Sequence, residues 1–123
     1  MYTEIFVSCR IKNDPIAVAV LKYMLRMDDY LEIDAPNHPL FKTTRWPRML
    51  IGSSYYFVPR SLHLFEYDDI GKYWCFISRS DLKNYEQEIE HFIDWIRPYV
   101  EDAEEMIGYS RYEESKEPTI YYS

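Results

Sequence analysis

Residues 4–11 read Glu4-Ile5-Phe6-Val7-Ser8-Cys9-Arg10-Ile11. Ile5, Val7, Cys9 and Ile11 fall on one side of a period-two pattern, and Glu4, Phe6, Ser8 and Arg10 fall on the other. That alternation predicts a strand with one face against a core. Asn13-Asp14-Pro15 follows directly. Asp14 suits a helix N-cap, and Pro15 suits the first helical position, where a missing N–H has no intrahelical partner anyway. Residues 16–27 carry only Lys22 and Arg26 as charges, four apart on one side. The helix they predict is therefore buried around most of its circumference.

Working outward, Tyr30–Ile33 reads as a short strand. Residues 34–48 hold Pro36, Pro39 and Pro47 and read as a long surface loop, because proline fixes φ and removes a ladder donor. Met49–Val58 reads as a strand with an interruption near Gly52. Leu62–Tyr67 and Lys72–Ile77 read as a hairpin turning at Asp68-Asp69-Ile70-Gly71, with Gly71 free to take a positive φ. A second helix is predicted from Asn84 as cap, with Gln87 completing a capping box. Ile89, Phe92, Ile93, Ile96, Tyr99 and Val100 then form one apolar stripe, with Glu86, Glu90, Asp94, Arg97 and Glu101 facing away. Pro98 bends or ends that helix. Met106–Tyr112 and Thr119–Tyr122 read as the last strands. The order strand, helix, strands, helix, strands gives a single α+β domain over residues 1–123. It consists of a mainly antiparallel sheet with two helices packed on one face, and the arrangement closest to it is the split β-α-β of ferredoxin-like folds.

Composition bounds the function. The chain is 47% hydrophobic and 18% aromatic, enough to bury a core. The N-terminus lacks a basic segment followed by an apolar one, and the longest nearly uncharged run, Pro15–Leu21, is far below the roughly 18 residues of a membrane span. A cytoplasmic protein with no membrane partner is expected. Cys9 and Cys75 have no metal-binding spacing and read as reduced core residues. The net charge of −7 is uneven: residues 81–117 hold 12 acids and 4 bases, while residues 1–80 hold 9 acids and 10 bases. A negative field concentrated in the last third repels nucleic acid and attracts basic surfaces.

No catalytic motif emerges. His38, His63 and His91 lie far apart, and Glu66, Asp68 and Asp69 lack the pattern of a calcium loop. The adjacent pairs Glu104-Glu105 and Glu113-Glu114 point to opposite faces if extended, so they do not converge as an acid/base pair. No cofactor or metal is expected. Tyrosine is the stronger signal, at 13 of 123 residues. Two helices cover one face of a sheet, so some of these rings belong on the open face, where Tyr and Trp dominate binding hot spots.

Asp81-Leu82-Lys83-Asn84-Tyr85, Glu88-Ile89-Glu90, Phe92, Trp95-Ile96, Pro98-Tyr99, Ile107-Gly108-Tyr109, Arg111-Tyr112-Glu113-Glu114 and Pro118-Thr119 resemble small uncharacterised accessory proteins of bacteriophages and prophages. The resemblance covers the last third of the chain and carries no catalytic residues. It implies a protein that binds and blocks a bacterial host or defence protein, including nucleic-acid-handling machinery.

The expected function is a non-catalytic acidic binding protein that mimics nucleic-acid charge. Its partner-binding residues would be Glu86, Glu90, Asp94, Glu101, Glu113, Glu114, Tyr109 and Tyr112. One alternative is a ligand-binding or enzymatic domain with residues 34–48 as a lid around Trp46, His38 and Arg45. Another is a nucleic-acid binder using the basic and aromatic patch Lys42, Arg45, Trp46, Arg48 and Arg60 with Tyr55 and Tyr56. The overall negative charge weighs against direct nucleic-acid binding. The scarcity of charge on the first helix adds the expectation of a homodimer.

Overall fold

A computed structural model describes residues 1–54, 61–101 and 104–123. The predicted first strand is β1, Thr3–Lys12. It pairs antiparallel on both sides, with β3 (Tyr73–Leu82) along its whole length and with β4 (Met106–Tyr112) along its first half. β2 (Leu62–Asp68) lies outside β3, and β5 (Thr119–Tyr122) lies outside β4. The order is β2-β3-β1-β4-β5. Helix α1 (Pro15–Met24) leads from β1 towards β2, with β3 between those strands. Helix α2 (Glu88–Ile96) leads from β3 to β4, with β1 between them. Each helical connection thus crosses one strand, and the fold is α+β on an antiparallel sheet.

Side-chain alternation builds the core. Ile5, Val7, Ile11, Phe65 and Phe76 share the buried cluster with Ala17, Val20, Leu21 and Met24 of α1 and Ile89, Phe92, Ile93 and Ile96 of α2. Asp14 caps α1 as its sequence predicts: its Oδ1 accepts from the N–H groups of Ile16 at 2.9 Å and Ala17 at 3.0 Å. On α1 the face Ala17, Val20, Leu21 and Met24 is fully buried while Ile16 is 46% exposed, so one face of the helix and not most of its circumference is covered.

Several expectations need correction. Tyr30–Ile33 is not a strand: it is an irregular surface stretch with Tyr30 largely exposed. Residues 49–54 form turns and irregular chain rather than a strand. Met49 and Leu50 instead plug the core, and Gly52 lies against the Asp81 carbonyl. Residues 55–58 of that call lie outside the described residues. In the hairpin turn the left-handed residue is Lys72, at φ 61°, not Gly71. Asp68 stabilises the turn by accepting from Ile70 at 2.8 Å and Gly71 at 3.0 Å, and those bonds hold its carboxyl below the usual value. Helix α2 starts four residues after Asn84. Gln87 sits in the left-handed region and makes no side-chain cap. Asn84 still caps at a distance, its Oδ1 accepting from Ile89 N–H at 2.9 Å. Cys9 packs partly against the core, whereas Cys75 stands opposite Arg10 on the other sheet face, half-buried, so neither is a fully buried residue.

Gly108 fixes how closely β4 approaches β1. A Cβ there would stand 2.1 Å from the Phe6 carbonyl oxygen and 3.0 Å from Val7 Cα, both backbone atoms that cannot swing away. Gly108→Ala is expected to cost more than about 2 kcal/mol in urea unfolding. A loss below about 0.5 kcal/mol would show that the two strands separate freely.

Candidate functional site

Helix α2 buries Glu88, Ile89, Phe92, Ile93, Trp95 and Ile96 and turns Glu90 and Asp94 outward, with Glu86 exposed just before its first turn. Each of these three acids is held by a donor without a permanent charge. Glu86 accepts from Thr44 N–H at 3.0 Å, with the Thr44 hydroxyl at 3.5 Å. Glu90 accepts from the Asn84 side-chain amide at 3.1 and 3.0 Å, one contact to each oxygen. Asp94 Oδ2 lies 2.9 Å from His38 Nε2. His38 Nδ1 accepts from Leu40 N–H at 3.1 Å. A neutral imidazole with its proton on Nε2 satisfies both contacts at once. The three carboxylates are therefore ordered without a Lys or Arg partner among the described residues, and Asp94 keeps 69% of its side chain exposed.

The proline-rich segment supplies two of those donors. It is not a featureless loop: Pro39–Lys42 and Trp46–Arg48 form short 3₁₀ turns. Leu40 is fully buried and Trp46 nearly so. The Phe41 ring stands edge-on to Trp46 at 4.8 Å and to Trp95 of α2 at 5.3 Å. The 39–42 turn packs on α2 and Trp46 packs on Tyr23 of α1 at 5.8 Å, so the segment is held at both turns, which counts against the lid reading. The groove beside His38 and Asp94, about 410 Å³, and the cleft beside Arg45 are separate, and Trp46 lines neither.

The remaining predicted residues are dispersed. Glu101 is exposed after the turn Arg97–Tyr99, its N–H bound to the Arg10 carbonyl at 2.8 Å. Glu113 is half-buried beside Tyr2, and Glu114 is exposed in the turn after β4. Tyr112 donates to Met1 Sδ at 3.1 Å. Tyr109 lies on the sheet face away from the helices, stacked on Phe6 at 5.5 Å. Of the basic patch, Lys42, Arg45 and Arg48 are exposed and Trp46 is a core anchor. Arg60, Tyr55 and Tyr56 lie outside the described residues. Among the described residues no group of three or more His, Cys, Asp and Glu could hold a metal ion, and no helix is long and apolar enough to cross a membrane.

Alternation alone did not reveal a buried ion cluster on that second face. Arg79 donates through Nε and Nη2 to Glu4 Oε2 at 2.9 and 2.6 Å, and through Nη1 to Asp81 Oδ2 at 3.3 Å. Arg111 Nε stands 3.6 Å from Glu4 Oε1. Asp81 Oδ2 also accepts from Ser54 N–H at 2.9 Å. Asp81 Oδ1 lies 3.1 Å from Arg79 Nη2 without an aligned hydrogen bond. Burial pushes the Asp81 carboxyl up, against the pull of Arg79, and burial beside Glu4 pushes the Tyr109 phenol up. Pattern gave no signal for it: Glu4 stands opposite Asp81, a like charge, and Arg111 on its two sides, while Arg79 lies diagonally, opposite Phe6, so strand register alone brings the four together.

Comparison with protein-family models, with curated proteins and with solved structures finds no match.

The cluster predicts an asymmetry. Arg79→Met leaves two buried carboxylates without their cation and is expected to cost about 3–5 kcal/mol. Asp81 has a folded-state pKa above its unfolded one, so its contribution to stability is present below the ordinary carboxyl range and lost as pH rises through the folded value. Asn does not titrate. The stability of Asp81→Asn relative to wild type is therefore expected to rise between about pH 4 and pH 7. Urea unfolding of both proteins at the two pH values measures it, and a difference that falls with pH would contradict the burial account.

Proposed function

We propose that this protein acts without catalysis, by docking its acidic C-terminal third on a basic protein surface that otherwise holds nucleic acid. The observation that carries the reading is the ordered set Glu86, Glu90 and Asp94, held by a backbone N–H and hydroxyl, a side-chain amide and the His38 imidazole. Lys or Arg partners would have ordered the carboxylates and cancelled their field. These donors order them and leave the field intact. Glu90 and Asp94, four apart on α2, rise by about 6 Å along one edge, and Glu86 stands exposed just before the helix begins.

Pre-ordering has a size. Immobilising a long side chain on binding costs about 0.5–1.5 kcal/mol, so three carboxylates already fixed save at most about 1.5–4.5 kcal/mol. That equals one to three decades of affinity. Each carboxylate has its own donor, and none of the three faces another as a shared-proton pair would. The resemblance of the last third to phage accessory proteins supplies the context: the partner class is a bacterial host or defence protein with a cationic, nucleic-acid-binding groove. The exposed acids Glu101, Glu104, Glu105 and Glu114 extend the same field beyond the helix.

The test uses Glu86→Gln, Glu90→Gln and Asp94→Asn together, because each amide oxygen keeps the acceptor while removing the charge. The wild-type protein is expected to displace a labelled DNA duplex from a basic bacterial DNA-binding protein at about 50 mM salt, and to lose most of that activity by about 200 mM. The triple variant is expected to compete at least tenfold more weakly and with a flatter salt dependence. Failure of the wild-type protein to displace DNA at low salt, or equal competition by the variant, contradicts the reading.

A further inference from the structure

The same helix has a second polar neighbourhood, of opposite sign. At the end of the sheet where β1 begins and β3 ends, Tyr2, Arg45, Arg48, Lys83 and Glu88 line a cleft of about 260 Å³, floored by Met49 and Leu82. In a chain of net charge −7, three cations converge here. Arg45, Arg48 and Lys83 pair with no carboxylate among the described residues. Two of them lie over rings instead: Arg45 is 5.6 Å from the centre of Tyr85, and Lys83 is 5.5 Å from the centre of Tyr2. A cation over a ring face keeps donors free for an incoming anion. Acids are plentiful nearby, yet they are used elsewhere: Glu86 on Thr44 and Glu90 on Asn84.

Glu88 adds a second, independent feature. It is 1% exposed, so it is almost wholly buried, and it lines the cleft. Its Oε1 accepts from Glu86 N–H at 2.7 Å. No described group donates to its Oε2. A carboxylate oxygen that borders the cleft can accept an N–H or O–H of a bound molecule. The cleft thus offers three parts: cations for an anion, the Tyr2 ring for a flat face, and the Glu88 carboxylate as an acceptor.

We propose that this cleft binds a small phosphate-bearing aromatic molecule of the nucleoside monophosphate class. Arg45, Arg48 and Lys83 take the phosphate, the Tyr2 ring in the lining and the exposed Tyr85 ring beside Arg45 take the base face, and Glu88 accepts from a base or sugar donor. The volume of about 260 Å³ falls a little below the usual small-molecule range, which begins at about 300 Å³, so it suits one nucleotide held partly in the open and not a strand. This site is independent of the acidic row, so either can fail without the other.

The test is calorimetric titration of the full chain with adenosine and guanosine monophosphate, the corresponding nucleosides, inorganic phosphate, and an oligonucleotide lacking a terminal phosphate. Saturable binding of a monophosphate with Kd below about 1 mM is expected, at least tenfold tighter than its nucleoside and than inorganic phosphate. Arg48→Gln and Arg45→Gln, each checked for folding by circular dichroism, are expected to weaken it at least tenfold, since neither loses an ion pair. Lys116→Gln, a charge loss in the exposed turn before β5, is expected to leave it unchanged. Equal affinity for the nucleoside, equal weakening by Lys116→Gln, tighter binding of the oligonucleotide, or no monophosphate binding at about 1 mM each overturn the proposal.

Discussion

The packing of Phe41 between Trp46 and Trp95 is the contact on which the surface of this protein depends. The ring stands edge-on to both indoles, at 4.8 and 5.3 Å. Such pairs contribute about 0.5–1.5 kcal/mol beyond the burial of their area. With Leu40 buried beside them, they pin a segment that has three prolines and no strand or α-helix of its own. Everything polar about that segment follows from where the pin places it. Residues before the pin deliver His38 to Asp94, and residues between its two indole-facing rings deliver Thr44 to Glu86. Arg45 and Arg48, on either side of Trp46 in the chain, reach the opposite flank of the start of α2.

One helix start thus separates two fields. Glu86 and Glu88 are two residues apart and are joined by a hydrogen bond from the Glu86 N–H to Glu88 Oε1. Yet Glu86 stands exposed at the head of the acidic row, and Glu88 is buried at the foot of a cationic cleft. Because Gln87 between them takes a left-handed conformation, the chain turns there and sends the two carboxylates to different surroundings. An ordinary capping box would have turned the N3 side chain back onto the cap and removed this division.

Much of the architecture was legible because it rests on local physics. β1 and α1 follow from strict alternation and from an Asp-Pro start, while β4 and β5 match their predicted limits because side-chain period and β-branched or aromatic content agree there. The misread elements are those where tertiary packing overrides pattern. Met49 and Leu50 are apolar because they plug the core from a turn, not because they alternate in a strand. Asn84 caps Ile89 five residues on, a spacing no capping rule anticipates. Glu90 and Asp94 were readable from four-residue spacing, whereas Glu86 falls before the helix, and the holders were not readable: His38 and Thr44 lie 56 and 42 positions from their partners. The cleft was half-visible. Arg45 and Arg48 belong to the patch read from sequence, whereas Tyr2, Lys83 and Glu88 arrive from three other places in the chain. The buried Arg79 cluster needed strand register, which side-chain pattern alone does not supply.

The account stands on the segment around Phe41 being fixed to α2 rather than opening and closing over it. Native-state hydrogen exchange measures this directly at two amides, Leu40, which donates to His38, and Thr44, which donates to Glu86. Protection at both that approaches the level of β1 and β3, and that falls in Phe41→Ala while β1 stays protected, is the predicted result. Exchange at Leu40 and Thr44 as fast as in an unfolded chain, with the sheet protected, would mean that the segment is mobile and that neither the acidic row nor the cleft is pre-formed.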